Sequence, residues 1–266
     1  MSAEKYRHIS YEPDYNLTDK YIEILESDLA RRIGHEMNMP QDLYSLWVKP
    51  DSIYANIART NEKKYWKYMP DIMSIHEDQS MFLLLFDTRM ARNEVVHSTR
   101  ISGFTPDGMR DDNDRTGLII IDDIIDSNQG LTAKYFRDYY TERGIDLMKC
   151  ITVESNIKIH NIRKKDGINA PDLAYLSLFK NVVNRGGQAG DSCVFAVINM
   201  PTVLSFGRIG LDYEPLAGMK SLQTPADNGE FDDNFIPVCI PHDAKSHELF
   251  KNIEPFALTE IYLEDN

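Results

Sequence analysis

Apolar residues recur at three- and four-residue steps from Tyr21 through Ile24, Leu25 and Leu29 to Ile33, the period of one helical face. Asp19 stands where a cap belongs, and Gly34 where such a helix would stop. The polar stretch 1–16 before it reads as an arm. Residues 40–70, rich in Tyr and Lys and carrying Trp47 and Trp66, suggest two further short helices. Near residue 80 the pattern changes. MFLLLFD (81–87) is an unbroken apolar run, suited to a strand covered on both faces. EVVHSTRISG (94–103), beyond a turn at 91–93, completes a hairpin. A polar loop (104–116), an apolar run (117–125) and a helix over about 131–143 ending at Gly144 follow. Next come a strand (147–160), a basic loop (161–170) and a helix (171–185) opened by Pro171 and Asp172 and closed by Gly186-Gly187. A strand (193–199) leads to a helix from Pro201 to about Ile209. After a loop-like stretch (215–235), a strand (236–240), a short helix (243–251) and a last strand (256–263) finish the pattern. Helices, a hairpin, then alternating strands and helices predict an α/β (α+β) protein, a mixed central sheet with helices on both faces. The expected organisation is an arm at 1–16, a main domain at 17–214 that includes the N-terminal helices, and a C-terminal extension at 215–266 packed on the same domain.

At 266 residues the chain suits one large domain or two small ones, with a core that needs no disulfide or metal. Lys plus Arg is 29 and Asp plus Glu is 42, so the formal charge is 29 − 42 = −13. So acidic a body is a poor generic ligand for nucleic acid or anionic membrane, although it can carry a local basic site. The longest apolar runs fall far short of the ~20 residues that span a bilayer. No signal-peptide pattern is visible, and a cytoplasmic location is expected. Cys150, Cys193 and Cys239 are widely spaced, with no CxxC, and read as reduced core residues.

The richest segment is CITVESNIKIH (150–160). Strict alternation sends Ile151, Val153, Ser155, Ile157 and Ile159 to one face, and Cys150, Thr152, Glu154, Asn156, Lys158 and His160 to the other. Taken alone this is a half-exposed strand with a solvated face. In the middle of a sheet covered on both sides, the same polar row lines a cleft, and Glu154 becomes a candidate general base for an incoming amine. The loop after it carries Arg163, Lys164, Lys165 and Gly167 just before a helix start. That is either a solubilising loop or a phosphate cradle of free N–H groups and positive charge. Arg100, flanked on its face by Ser98 and Ser102, either clamps a substrate carboxylate or closes an internal ion pair. Asn156 and Ser98 are the candidate substrate contacts. His97 reads as a core or surface residue. His242 and His247, five residues apart, do not share a helical face, and no metal site is expected. Asp111, Asp112 and Asp114 lack the pattern of a calcium loop and read as solvated charge.

From Phe82 to Gly218 the order and motifs resemble the GCN5-related (GNAT) acyltransferase fold, in its autoinducer-synthase and N-acyl amino acid synthase branch. VVHSTRISGF followed by TGLIIIDDIID is similar to that branch's Arg-bearing strand, threonine–glycine loop and apolar stretch. ITVESNIKI resembles its glutamate-bearing strand, and CVFAVIN with MPTVLSFGRIGLDYEPLAG its final strand–helix–strand. KKDGIN (164–169) partly matches the superfamily's pyrophosphate loop, which adds Asn169 to the candidate co-substrate contacts. The resemblance implies transfer of an acyl group from a pantetheine thioester to an amine, with Glu154 and Arg100 in catalytic places. It also implies acyl-CoA or acyl-phosphopantetheine as co-substrate, no permanently bound cofactor, a small-molecule amine acceptor and acyl carrier protein as a candidate partner. Ile157 stands where autoinducer synthases carry an Arg three residues after the glutamate, which points away from homoserine lactone and toward another amine. The other readings are an acetyl-CoA-dependent N-acetyltransferase and a catalytically silent binding or scaffold protein of this fold. The silent reading expects Glu154 and Arg100 locked in internal ion pairs, with no gap between strands 147–160 and 193–199.

Overall fold

The computed structural model describes residues 18–37, 43–65, 80–87, 94–106, 114–158, 170–220, 222, 235–257 and 260–262. The N-terminal arm, Trp66 and the hairpin turn lie outside them. Eight strands among these residues form one sheet: β1 (Leu43–Val48), β2 (Ser80–Asp87), β3 (Glu94–Gly103), β4 (Ile151–Lys158), β5 (Cys193–Asn199), β6 (Glu214–Pro215), β7 (Phe235–Pro241) and β8 (Glu260–Tyr262). Their spatial order is β6-β7-β5-β4-β3-β2-β1-β8. Two neighbouring pairs, β4–β5 and β1–β8, are parallel and the rest antiparallel. Parallel neighbours need a crossover. Between β4 and β5 it contains a helix, as the alternating pattern predicts.

The helices are α1 (Asp19–Met37), α2 (Ala55–Tyr65), α3 (Ile119–Ser127), α4 (Ala133–Thr141), α5 (Ala170–Asn184), α6 (Met200–Ile209) and α7 (Ala244–Ala257). One face of the sheet (Leu83, Leu85, Ile101, Val153, Val194, Ala196) packs with Phe179, Phe206 and Phe250 of α5, α6 and α7. On the other face, Phe82, Leu84, Phe86 and Val95 lie against α1 and α2. Farther along that face, Cys150, Cys193, Phe195 and Cys239 lie against α3 and α4. Cover on both sides explains the unbroken apolar run of β2: every side chain from Phe82 to Phe86 is buried.

At four places the fold changes or completes the local expectations. Residues 43–48 form a strand, not the first of two helices. LYSLWV puts Leu46 in one core and Trp47 in the other, and antiparallel pairing with β2 outweighs local helical pattern. α1 runs through Gly34 to Met37. A helical glycine costs only about 1 kcal/mol, and Leu25 and Leu29 anchor the helix in the core while Ile24 stays exposed. The apolar run after the polar loop is α3, with Leu118, Ile121, Ile124 and Ile125 buried at helical spacing. The expected strand 147–160 begins with a 3-10 turn at Leu147–Lys149 and pairs only from Ile151.

Candidate active site

Strict alternation along β4 fails at one residue. Ser155 pairs with Arg100 and Val153 with Ile101, so Glu154 is the extra residue of a β-bulge. A bulge turns two consecutive side chains to the same face. The expected single row of Thr152, Glu154, Asn156 and Lys158 is therefore divided. Glu154 and Ser155 look toward α2, whereas Asn156 looks toward α5.

On the α2 side, Arg100 Nε lies 3.1 Å from Glu154 Oε2 and 3.5 Å from Glu62 Oε1, and all three side chains are 1–3% exposed. Ser80 Oγ donates to Glu154 Oε2 at 3.4 Å and lies 3.0 Å from Ser102 Oγ. Neither carboxyl oxygen of Glu62 reaches hydrogen-bond geometry with a described group. Burial pushes the Glu62 carboxyl above its ordinary pKa, and the Glu154 charge pushes the same way against the pull of Arg100. The Arg59 guanidinium lies over the Phe82 ring and bonds Asn56 Oδ1 and the Pro50 carbonyl. Sequence reading missed Glu62. The signal was there: in ANIARTNEKKY, Ala55, Ala58 and Glu62 stand at three- and four-residue steps on a buried stripe, and a carboxylate in such a stripe demands a partner.

Behind the sheet the groups are hydroxyls, an amide and an imidazole. Asn156 Oδ1 accepts from Thr99 Oγ1 at 2.9 Å and lies against His97 Nε2. The Tyr175 hydroxyl, also bonded to Asn156, donates to Thr202 Oγ1 at 3.5 Å. Thr202 Oγ1 donates in turn to Asn199 Oδ1 at 2.9 Å, and Asn199 caps α6. Burial pushes the Tyr175 phenol pKa up. His97 is thus a buried member of a network, and Tyr175 is a second residue the sequence reading passed over. Ser98 is buried opposite Ile157, its hydroxyl without a hydrogen-bond partner among the described residues.

Both clusters stand at a fork. β4 and β5 register over only three pairs, Ile151↔Val194, Thr152↔Phe195 and Val153↔Ala196. Glu154 is the first β4 residue past the last of them. Beyond that point β4 keeps β3, and β5 keeps β7, on their outer sides. Facing backbone N–H and C=O groups that have lost each other need other partners. Arg163, Lys164, Lys165, Gly167 and Asn169 lie outside the described residues, as does His160.

Other candidates resolve into structure. Cys150, Cys193 and Cys239 are free and buried, with 3.6 Å between the sulfurs of Cys150 and Cys193. Burial pushes the Cys193 thiol well up, which suits an inert thiol. Thr116 and Gly117 are fixed by the Asp122 carboxylate, which accepts from both backbone N–H groups and from the Thr116 hydroxyl. His242 and His247 bond each other at 3.0 Å, and no group of three or more metal-ligating side chains occurs among the described residues. No helix among them is long and apolar enough to cross a membrane.

A mixed sheet with a forked parallel pair, and a buried carboxylate–arginine cluster at the fork, is the class of molecule described. No protein-family model matches the sequence, and no curated protein does. Solved structures that resemble the chain include acyl-homoserine lactone synthases. The CoA-dependent synthase BjaI, solved with SAM and isopentyl-CoA, is 10% identical with a TM-score of 0.46, over 84% of this chain and 94% of that one. The synthase LasI is 12% identical with a TM-score of 0.38, over 93% of this chain and 94% of that one. Likeness at this level carries no residue role from those enzymes to this chain.

Proposed function

We propose that the chain is an N-acyltransferase that moves an acyl group from an acyl-CoA or acyl-carrier-protein thioester to the amine of an amino acid or similar small molecule by direct attack. The observation that carries this reading is the fork: pairing between β4 and β5 stops at Val153↔Ala196, and the buried carboxylate of Glu154 comes next. Freed strand edges offer backbone donors and acceptors to an extended, amide-bearing chain such as pantetheine. A donor N–H from the same edge would polarise the thioester carbonyl, and Glu154 would take the acceptor's proton. Direct attack needs no covalent intermediate on the protein, in keeping with three buried thiols that lack an activating partner.

A silent fold is the second reading. One observation favours it, the internal Arg100–Glu154 ion pair. The fork speaks against it, because a purely structural sheet gains from continued pairing. The discriminating experiment offers acyl-CoA and acyl-carrier-protein thioesters of several chain lengths, acetyl included, with pooled amino acids and amines, and reads free thiol. Amine-dependent release that falls by about 100-fold or more in Glu154→Gln supports the enzyme. Acetyl as the preferred donor would favour the N-acetyltransferase form. No release with any donor, and no shift in melting temperature with thioester, leaves the silent fold.

A further inference from the structure

We propose that the Tyr175 hydroxyl is a strut across the fork, a positioning group that sets the distance between the freed edges of β4 and β5 and so the place of the thioester carbonyl between them. This rests on the acyltransferase reading and adds a residue to it. The geometry is a chain of side chains laid over the gap on the α5 side. Counted on from the last backbone pair, Val153↔Ala196, Asn156 is the third residue along the β4 arm and Asn199 the third along the β5 arm. They would stand opposite each other if the ladder continued. Instead Asn156 bonds the Tyr175 hydroxyl, that hydroxyl reaches Thr202 Oγ1 at 3.5 Å, and Thr202 Oγ1 reaches Asn199 Oδ1 at 2.9 Å.

The chain runs in one direction. Thr99 Oγ1 donates to Asn156 Oδ1 at 2.9 Å, so the amide N–H of Asn156 is what donates to Tyr175. The phenol then donates to Thr202, and the Thr202 hydroxyl to Asn199. Both ends of the strut are anchored. The Tyr175 ring stands edge-on to Phe206 of α6, with centroids 4.7 Å apart at 88°, and the residue is buried. Asn199 Oδ1 also accepts from the Thr202 backbone N–H at 3.1 Å, where it caps α6. Tyr175 on α5 thus meets one arm of the fork directly and the other through Thr202.

Width is what an extended donor needs. Paired strands stand about 4.8 Å apart, and an extended chain lying between two strand edges needs about twice that. Backbone pairing cannot hold β4 and β5 at such a separation, because the pairing has ended there. A side-chain bridge can. CoA and an acyl carrier protein present the same pantetheine arm, so the strut acts alike on either donor. Misplacing reacting atoms by about 1 Å costs on the order of 100-fold in rate, so the loss of this one hydroxyl is expected to show in turnover.

Tyr175→Phe keeps the ring on Phe206 and removes the strut. Thr202→Val removes the same bond from the other side, and Thr202→Ser keeps it. Each is assayed by amine-dependent thiol release with acyl-CoA and acyl-carrier-protein thioesters. Tyr175→Phe is expected to lower kcat about tenfold or more with either donor, with KM for the accepted amine unchanged within about twofold. Thr202→Val should match it, and Thr202→Ser should stay near wild type. Tyr175→Phe combined with Thr202→Val should fall no further than either alone, since both remove one bond. Wild-type kcat in Tyr175→Phe, or losses that multiply in the double variant, would overturn the strut and leave the acyltransferase reading standing. No release by the wild type would overturn that reading and the positioning role together. Backbone amide exchange reads the fork without substrate. Tyr175→Phe should speed exchange about tenfold over 154–158 and 197–199, on both arms and more than in β2. Equal exchange in wild type and variant would sink the strut whatever the assay shows.

Discussion

The two faces of the sheet at the fork use the same strands to opposite effect. Toward α2, Arg100, Glu62 and Glu154 put three ionisable groups in a dry layer, with Arg100 Nε 3.5 and 3.1 Å from the two carboxyls. Toward α5, Thr99, Asn156, Tyr175 and Thr202 form a neutral hydrogen-bonded chain, with the His97 ring against Asn156. One residue separates them, the Glu154 bulge. The neutral face ties β4 to the start of α6 past the last backbone pair. The charged face leaves a carboxyl short of partners among the described residues. Native folds concentrate such unresolved polarity where chemistry is done, which is why the proposed function puts the reaction on the charged face.

The sharpest way to break the contrast is Arg100→Met. Removing the cation strands two buried carboxylates, and a loss of about 3–5 kcal/mol is expected in urea unfolding at neutral pH. A loss under about 1 kcal/mol would mean that both carboxyls are already neutral, and the charged face would be charged in name only. On the neutral side, Asn156→Ala removes the acceptor of Thr99 and the partner of Tyr175, for about 1–3 kcal/mol. Tyr175→Phe removes one hydroxyl, for about 0.5–1.5 kcal/mol. If Tyr175→Phe cost as much as Arg100→Met, the faces would not differ in kind.

Much of this was legible in the chain. β3 falls where EVVHSTRISG places it, and CVFAVIN is β5 to the residue. Apolar alternation and glycine stops are local signals, and they survive into the fold. Gly144, Gly186 and Gly210 all take positive φ at or just past helix ends. Glu154 and Arg100 were singled out for their chemistry, and they meet. What failed depended on partners distant in sequence. The strand at 43–48 is decided by pairing with β2. The bulge at Glu154 has no sequence mark, because an extra residue exists only relative to β3. Glu62 carries a helical stripe that could have been read, but its partner lies 38 positions on, at Arg100. The Arg163–Asn169 loop lies outside the described residues and remains a proposal.

The smallest expected effect uses pH to tell the faces apart. His242 is buried at the edge of the α5 side, its ring 5.4 Å from Phe179. The Ser192 hydroxyl donates to the Gln188 carbonyl, so it accepts from His242 Nδ1–H at 3.0 Å. That leaves His242 Nε2 to accept from His247 at 3.0 Å. A proton added at Nε2 displaces that bond, and burial, with His247 second, holds the His242 pKa below its usual 6.5. Between that lowered value and 6.5 the unfolded chain binds the proton and the folded one does not, so stability falls as pH falls. His242→Gln should flatten this acid slope slightly in thermal melts taken from pH 7 down to about 5. Glu62, its carboxyl pKa raised by burial, has the opposite sign, losing its contribution as pH rises. A double variant with Glu62→Gln should therefore flatten both limbs independently, since sites with no shared partner add. Interaction between the two substitutions would mean that the faces are coupled through β4, and the division of labour drawn from the bulge would fail.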